Sequence, residues 1–282
     1  MERMMKRAAV LLVSLLLFLL SAPANAIAGT LEVHFIDVGQ GDAILLRSPE
    51  AAVLVDAGID ARAAEYLEAL EITRIDLAVA THAHADHIGG FPAVLEQAAV
   101  GELWYNGQEH TTLTFERFLD AILEREVRYH EPAAGERRGF GDLTVEVLHP
   151  PGSAAEYDGD LHDKVIVLRA VYGGFAVLLT SDAEKPLEQA LLEGDSTLRA
   201  TVLKLGHHGS NTSSSQAFLA AVSPEVVVYQ AAAGNPYGHP HEETLRRVRA
   251  ATAAEILGTD RHGTIVITTD GNGYTVTPAA DP

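Results

Sequence analysis

The chain has 282 residues, enough for one large domain or two small ones, and at 47% hydrophobic and 21% charged it has the composition of a folded globular protein rather than a disordered one. Lys and Arg number 20 against 39 Asp and Glu, and the formal charge of −19 excludes a broad basic surface for nucleic acid or an anionic membrane. Cysteine is absent, which excludes disulfides, thiolate metal sites and cysteine nucleophiles and leaves any metal to the carboxylates and the 13 His.

Residues 1–7 are basic on balance, and residues 8–20 form an apolar run broken by Ser14, shorter than the ~20 residues of a membrane span. Ala24-Asn25-Ala26 gives the small-x-small pattern of a signal-peptidase site, so an export signal over 1–26 is expected, with an uncleaved anchor as the alternative. The mature chain, 27–282, would begin at Ile27 with no integral membrane domain, and would be secreted, periplasmic or held at the cell surface. It would carry 17 basic and 38 acidic residues, a formal charge of −21.

Val, Ile and Leu-rich runs punctuated by glycine predict consecutive strands at Leu31–Val38, Ala43–Arg47 and Ala51–Val55. A helix at 61–70, a buried strand at Leu77–Ala80, a strand near 100–105 and a helix at 115–124 follow. After a break at Pro150-Pro151-Gly152 the strand pattern resumes, at Leu143–Leu148 just before it and at Val165–Val171 and Phe175–Leu179 after it. Strands near Val202, Val226–Tyr229, Ile256 and Ile265–Ile267 then alternate with helical stretches at 184–193, 215–222 and 242–253. Two such halves, each a sheet covered on one face by helices, would bury their sheets against each other. The expected fold is α/β, a four-layer αββα sandwich.

The strongest chemical signal is Thr81-His82-Ala83-His84-Ala85-Asp86-His87, where the strand Leu77–Ala80 runs out. Four ligands within six residues converge only if the backbone leaves regular structure, which a loop at a strand end permits. Imidazole nitrogen with carboxylate oxygen suits Zn, Mn or Fe. Asp182 and the pair His207-His208 also close apolar strands, with Asp86 and Asp182 expected at solvent-reachable loop ends. Adjacent residues at a strand end diverge, so one His of the pair is expected as the ligand, with His207 favoured and His208 left to face substrate or a supporting partner. Asp56 ends a buried strand, where it either orients a ligand imidazole or forms a turn. Asp37, Gln40 and Asp42 are expected to shape a loop or support the site, Ser210 to contact substrate, and His239 and His241 to contact substrate, donate a proton or cap a helix. His34, His110, His130, His149 and His262 carry no supporting pattern.

The His-x-His-x-Asp-His loop resembles that of metallo-β-lactamase-fold hydrolases. A finer resemblance is to the hydrolase domain of ComEC-type competence proteins and their free-standing relatives. It is carried by Phe35-Ile36-Asp37-Val38-Gly39-Gln40-Gly41-Asp42-Ala43, Leu178-Leu179-Thr180-Ser181-Asp182, Leu203-Lys204-Leu205-Gly206-His207-His208-Gly209-Ser210 and Asn235-Pro236-Tyr237-Gly238-His239-Pro240-His241, and covers roughly residues 31–270. The resemblance implies two divalent metal ions, zinc first with Mn or Fe as alternatives, bridged by Asp182. It departs at His162, where the ComEC-type pattern has Asn. Other enzymes of this fold place a third metal-binding His there, so His82, His84 and His162 are expected around one ion and Asp86, His87 and His207 around the other, with Asp163 as the substitute for His162. The implied reaction is attack by a metal-activated water, with Asp86 and Asp182 as catalytic residues, on a small phosphodiester or nucleic acid. Lys204, Arg261 and His239 are the local groups expected to capture phosphates. The alternatives are a lactam, lactone or other ester substrate, or a metal-binding module without catalysis.

Overall fold

The structure, a computed structural model, describes residues 29–153 and 160–278. The expected export signal lies outside them. The first half runs β1 (Leu31–Phe35), β2 (Ile44–Arg47), β3 (Ala52–Val55), α1 (Arg62–Ala69), β4 (Arg74–Ile75), β5 (Leu77–Ala80), α2 (Ala85–Ile88), α3 (Phe91–Gln97), β6 (Ala99–Val100), β7 (Leu103–Tyr105), α4 (Leu113–Glu124) and β8 (Tyr129–His130). The second runs β9 (Arg137–Phe140), β10 (Leu143–His149), β11 (Val167–Tyr172), β12 (Phe175–Leu179), α5 (Lys185–Glu193), β13 (Val202–Lys204), α6 (Gln216–Val222), β14 (Val226–Tyr229), α7 (Glu242–Ala251) and β15 (Glu255–Gly258). The short α8 (Thr259–His262) and a hairpin of β16 (Ile265–Thr269) and β17 (Tyr274–Pro278) complete it.

Period-2 alternation makes these strands two-sided. On β3, Val53 and Val55 enter one core while Ala52 and Leu54 enter another; on β12, Phe175, Val177 and Leu179 enter the first of these and Ala176 and Leu178 a third. The first core therefore lies between the two sheets, the second under α1, α3 and α4, and the third under α5, α6 and α7, an αββα sandwich. The sheets are ordered β17-β16-β1-β2-β3-β5-β7-β8 and β15-β14-β13-β12-β11-β10-β9, with β4 and β6 in a separate ribbon.

One strand changes sides relative to the sequence pattern. Ile265–Ile267 reads as part of the second half, but β16 runs antiparallel to β1, with Leu31 opposite Thr269 and Phe35 opposite Ile265. Ile265 and Ile267 face the core between the sheets, a burial that either sheet would have satisfied, so alternation could not choose between them.

Strands β3, β5, β7 and β8 are parallel in the first sheet, and β12, β13, β14 and β15 in the second. The segments that leave their carboxyl ends carry the chemistry, as in other open parallel sheets.

Candidate metal centre

His82 and His84 leave the end of β5 through a bend, His84 in extended backbone, and α2 then wraps a single turn that brings Asp86 and His87 back toward them. The sequence predicts a loop at the end of this strand, whereas a helical turn is what lets residues four and five positions after His82 face it. Gly41, at φ 130°, sits under this turn, where a Cβ would run into the Asp86 carbonyl. His82 and His87 are fully buried, His84 and Asp86 partly exposed.

The second half supplies the opposite wall. Asp182 follows β12, His162 lies in a 3-10 turn before β11, and His207 and His208 occupy a turn after β13 with left-handed φ values of 47° and 54°. Ligand atoms of His82, His84, His162 and Asp182 lie within 4.8 Å of one another, and so do those of Asp86, His87 and His208. Asp182 stands between the groups, with Oδ1 3.3 Å from His87 Nε2 and 3.4 Å from His208 Nε2, and Oδ2 3.7 Å from His82 Nε2. It is 1% exposed, so it is not the solvent-reachable group expected of a loop end.

The imidazole beside Asp86 and His87 is that of His208, not the favoured His207. His208 Nε2 is 3.3 Å from Asp86 Oδ2, whereas His207 turns to His162 and to Glu184, whose Oε1 is 3.0 Å from its Nδ1. The two consecutive left-handed residues rotate the pair in a way that extended-strand alternation does not anticipate.

These residues suit hard or borderline cations. Buried His87 Nε2, His162 Nε2, His208 Nε2 and Asp182 Oδ1 all lack hydrogen-bond partners among the described residues, and divalent cations would satisfy them. The same atoms perturb one another. Against the lowering effect of burial, Asp182 and Asp56 hold the His87 imidazole well above its usual range, and Asp182 and Asp42 push His208 up to about 9. His82, buried and facing the charge of His87, is held well below.

A supporting layer fixes the imidazoles from behind. His87 Nδ1 donates to Asp56 Oδ2 at 2.7 Å, and Asp56 also accepts from the Thr81 backbone N–H and hydroxyl, each at 2.8 Å. Asp56 thus orients an imidazole and ends β3 in one conformation, at φ 58°. His208 Nδ1 is 3.0 Å from the Gln230 carbonyl and 3.1 Å from Asp42 Oδ1, and Asp42 pairs with the ammonium of Lys204. Asp42 is one of the supporting residues the sequence suggests, whereas Lys204 is expected there at phosphates and not behind an imidazole, and Glu184 carries no site role in the sequence reading. Lys204 is 0% exposed, so it cannot capture phosphates, and Arg261, exposed beside Asp260, does not line the cavity.

The metal-facing atoms open into a cavity of about 370 Å³ whose rim includes Gln40, His110, Thr112, Tyr237 and His239. Burial and the nearby His208 and His207 push the His239 imidazole down to about 4. Other expected residues stand back. Asp37 is exposed and accepts from Gly39 N–H, Asp163 Oδ2 accepts from Asp160 N–H, and His241 Nδ1 accepts from Asn211 N–H. Ser210 is buried with its hydroxyl on Thr212, which in turn donates to Glu184, so it braces the wall and does not reach the cavity. His110, for which the sequence carried no pattern, is brought to the rim by the segment after β7.

The sequence profile of the Metallo-beta-lactamase superfamily matches residues 36–232. ComE operon protein 3 of Bacillus subtilis is 30% identical over 257 residues, covering 83% of this chain and 32% of that protein; competence protein ComA of Neisseria gonorrhoeae is 35% identical over 237 residues, covering 81% and 31%. The chain therefore spans about a third of the length of these curated relatives. Among solved structures, CmlA, a diiron beta-hydroxylase from Streptomyces venezuelae, shares the fold with a TM-score of 0.55 at 15% identity, over 84% of this chain and 53% of that one. By the match over most of its length, the chain belongs to the metallo-beta-lactamase superfamily and is similar there to ComEC-type competence proteins.

Proposed function

We propose that the chain is a metal-dependent hydrolase of phosphodiesters that acts after export. The observation that carries this reading is the pair of ligand groups that meet at Asp182. His82, His84, His162 and Asp182 would hold one divalent ion, and Asp86, His87, His208 and Asp182 the other. Two such ions, when bound, supply an activated water at neutral pH and stabilise both the attacking and the leaving oxygen of an in-line displacement at phosphorus. Asp86, whose side chain is 25% exposed toward the cavity and whose carboxyl is held well below the usual carboxylate range by His208 and His87, stays ionised and orients the attacking water. With its imidazole pushed down to about 4, His239 is neutral at pH 7, so it serves as a hydrogen-bonding group at the leaving side and not as a reservoir of a proton. Among the described residues no Lys or Arg lines the cavity, which suits a small phosphodiester or one end of a nucleic-acid strand better than a long duplex.

The test is metal content and turnover on one sample, loaded in turn with Zn, Mn and Fe, against bis(p-nitrophenyl) phosphate, single-stranded DNA, RNA and a chromogenic β-lactam. Diester cleavage that EDTA abolishes and metal restores is the expected result. Cleavage of the lactam or of carboxylic esters alone would overturn the substrate class, and stoichiometric metal with no turnover would mark a binding module.

A further inference from the structure

The rim of the cavity contains one group that the hydrolytic chemistry does not use. Tyr237 is 62% exposed and, of the exposed large hydrophobic side chains among the described residues, it alone lines the cavity. Its ring lies nearly parallel to that of His239, with centroids 5.7 Å apart and an interplanar angle of 25°. His239 in turn sits 5.4 Å from the His207 ring and 6.0 Å from the His208 ring, so a continuous run of rings leads from the metal-facing imidazoles out to Tyr237.

The loop that presents this stack is preorganised. Asn235 Oδ1 accepts from the backbone N–H groups of Tyr237 and His239, at 3.1 and 3.0 Å, while its Nδ2 donates to the carbonyls of Ala232 and His239. Gly238 lies between the two rings in the chain with φ 73°, which reverses the backbone so that both face one way. One asparagine side chain thus holds four backbone groups of the segment 232–239. An aromatic face held in this way presents contact area with little ordering left to occur on binding.

Resting on the phosphodiesterase reading, we propose that Tyr237 is a specificity-determining residue, a platform on which the nucleobase next to the scissile phosphate stacks. Among the described residues no Lys or Arg lines this cavity, so beyond the metal-facing imidazoles and carboxylates a ligand's affinity must come from contacts that do not depend on charge. Stacking on an aromatic ring is such a contact, tolerant of base identity because each base has a π-face. A cavity of about 370 Å³ admits one nucleotide-sized group rather than a groove-length strand, and an exposed ring at its edge is placed for the base that this nucleotide carries. The platform therefore selects nucleoside-bearing diesters over simple alkyl ones and imposes a footprint of about one base.

Two diesters with the same leaving group separate this effect from the chemistry: thymidine 5′-(p-nitrophenyl phosphate), which carries a base, and methyl p-nitrophenyl phosphate, which does not. For the metal-loaded protein, KM should be lower for the thymidine ester, and Tyr237→Ala should raise that KM by ~5- to 140-fold with kcat little changed. The same variant should leave KM for the methyl ester unaltered, and Tyr237→Trp should retain or improve binding of the thymidine ester. Equal KM for the two esters in the parent protein, or a Tyr237→Ala effect of the same size on both, would refute the platform while leaving the phosphodiesterase reading intact. Failure of the loaded parent protein to cleave either ester would refute that reading and the platform with it.

Discussion

Replacing Asp56 with Asn exchanges one carboxylate oxygen for an amide nitrogen and asks whether the orientation of His87 governs metal binding. The backbone is a fair control, because Asp56 sits at φ 58° and Asn tolerates that left-handed conformation as well as Asp does. The hydrogen bonds are not conserved. Asp56 Oδ1 accepts the Thr81 N–H while Oδ2 accepts both the His87 Nδ1–H and the Thr81 hydroxyl. If Asn keeps its oxygen toward the Thr81 backbone, its NH2 faces His87 Nδ1, and the imidazole must shift its proton to Nε2, the atom directed at the metal. If it keeps its oxygen toward His87, two N–H donors confront each other in a site 1% exposed to solvent. Either arrangement costs on the order of 1–3 kcal/mol, the penalty of one unsatisfied buried polar group. Expressed as metal affinity this is about 5- to 140-fold for the ion that Asp86, His87 and His208 would hold, a span that brackets the ~10- to 100-fold seen when a partner behind a metal ligand is lost. Metal per chain across a graded series of chelator concentrations reads the effect directly, with thermal melting of the chelated protein separating it from a loss of fold. An Asp56→Asn protein that retains both ions at parental affinity would refute the reasoning.

Asp182→Asn, by weakening the carboxylate shared by both ligand groups, should reduce turnover by more than the ~10- to 100-fold of a supporting residue, and a smaller loss would place the chemistry elsewhere. His162→Ala should remove about one ion per chain or weaken its affinity on the order of 10-fold, while His130→Ala, whose side chain pairs with Glu136 outside the cavity, should not; unchanged stoichiometry and affinity would move the assignment to Asp163. Buried His149 donates to the Val165 carbonyl, and burial holds its pKa below the ordinary 6.5, so the unfolded chain takes up this proton first and stability falls as pH drops below about 6.5. Urea melts across that range on chelated protein should show the loss, and His149→Gln should blunt it; an identical pH profile for the variant would contradict the linkage. Amino-terminal sequencing of exported protein should begin at or close to Ile27, and an intact Met1 would reject cleavage.

The parts of this centre that could be read from sequence are those whose geometry is local. His82, His84, Asp86 and His87 lie within one turn of chain at a strand end, so their convergence follows from spacing alone. The choice between His207 and His208 is equally local but hinges on two left-handed residues that are neither Gly nor Asn, and no propensity announces those. Asp42 and Lys204 can each be singled out from sequence, but they meet from opposite halves of the chain, and nothing in the sequence announces that pairing until the sandwich closes. Glu184 reads as a helix start, which it also is: it precedes α5 while its carboxylate braces His207 and accepts from Thr212. The sheets were legible because alternation reports burial, yet alternation does not name the partner strand, which is why β16 could be assigned to the wrong half.

The burial of Lys204 bears on how an acidic protein attracts an anion. Asp42, Asp56, Asp86 and Asp182 set four negative charges around the centre against one ammonium, and protons held on His87 and His208 still leave a deficit of one. Two divalent ions, by displacing those protons and adding four positive charges, would raise the local sum by two. Metal loading would therefore weaken the repulsion that an anionic encounter partner meets at the mouth of the cavity. Because the ammonium is sealed behind His208, its charge enters this balance without ever competing with the ions for the substrate.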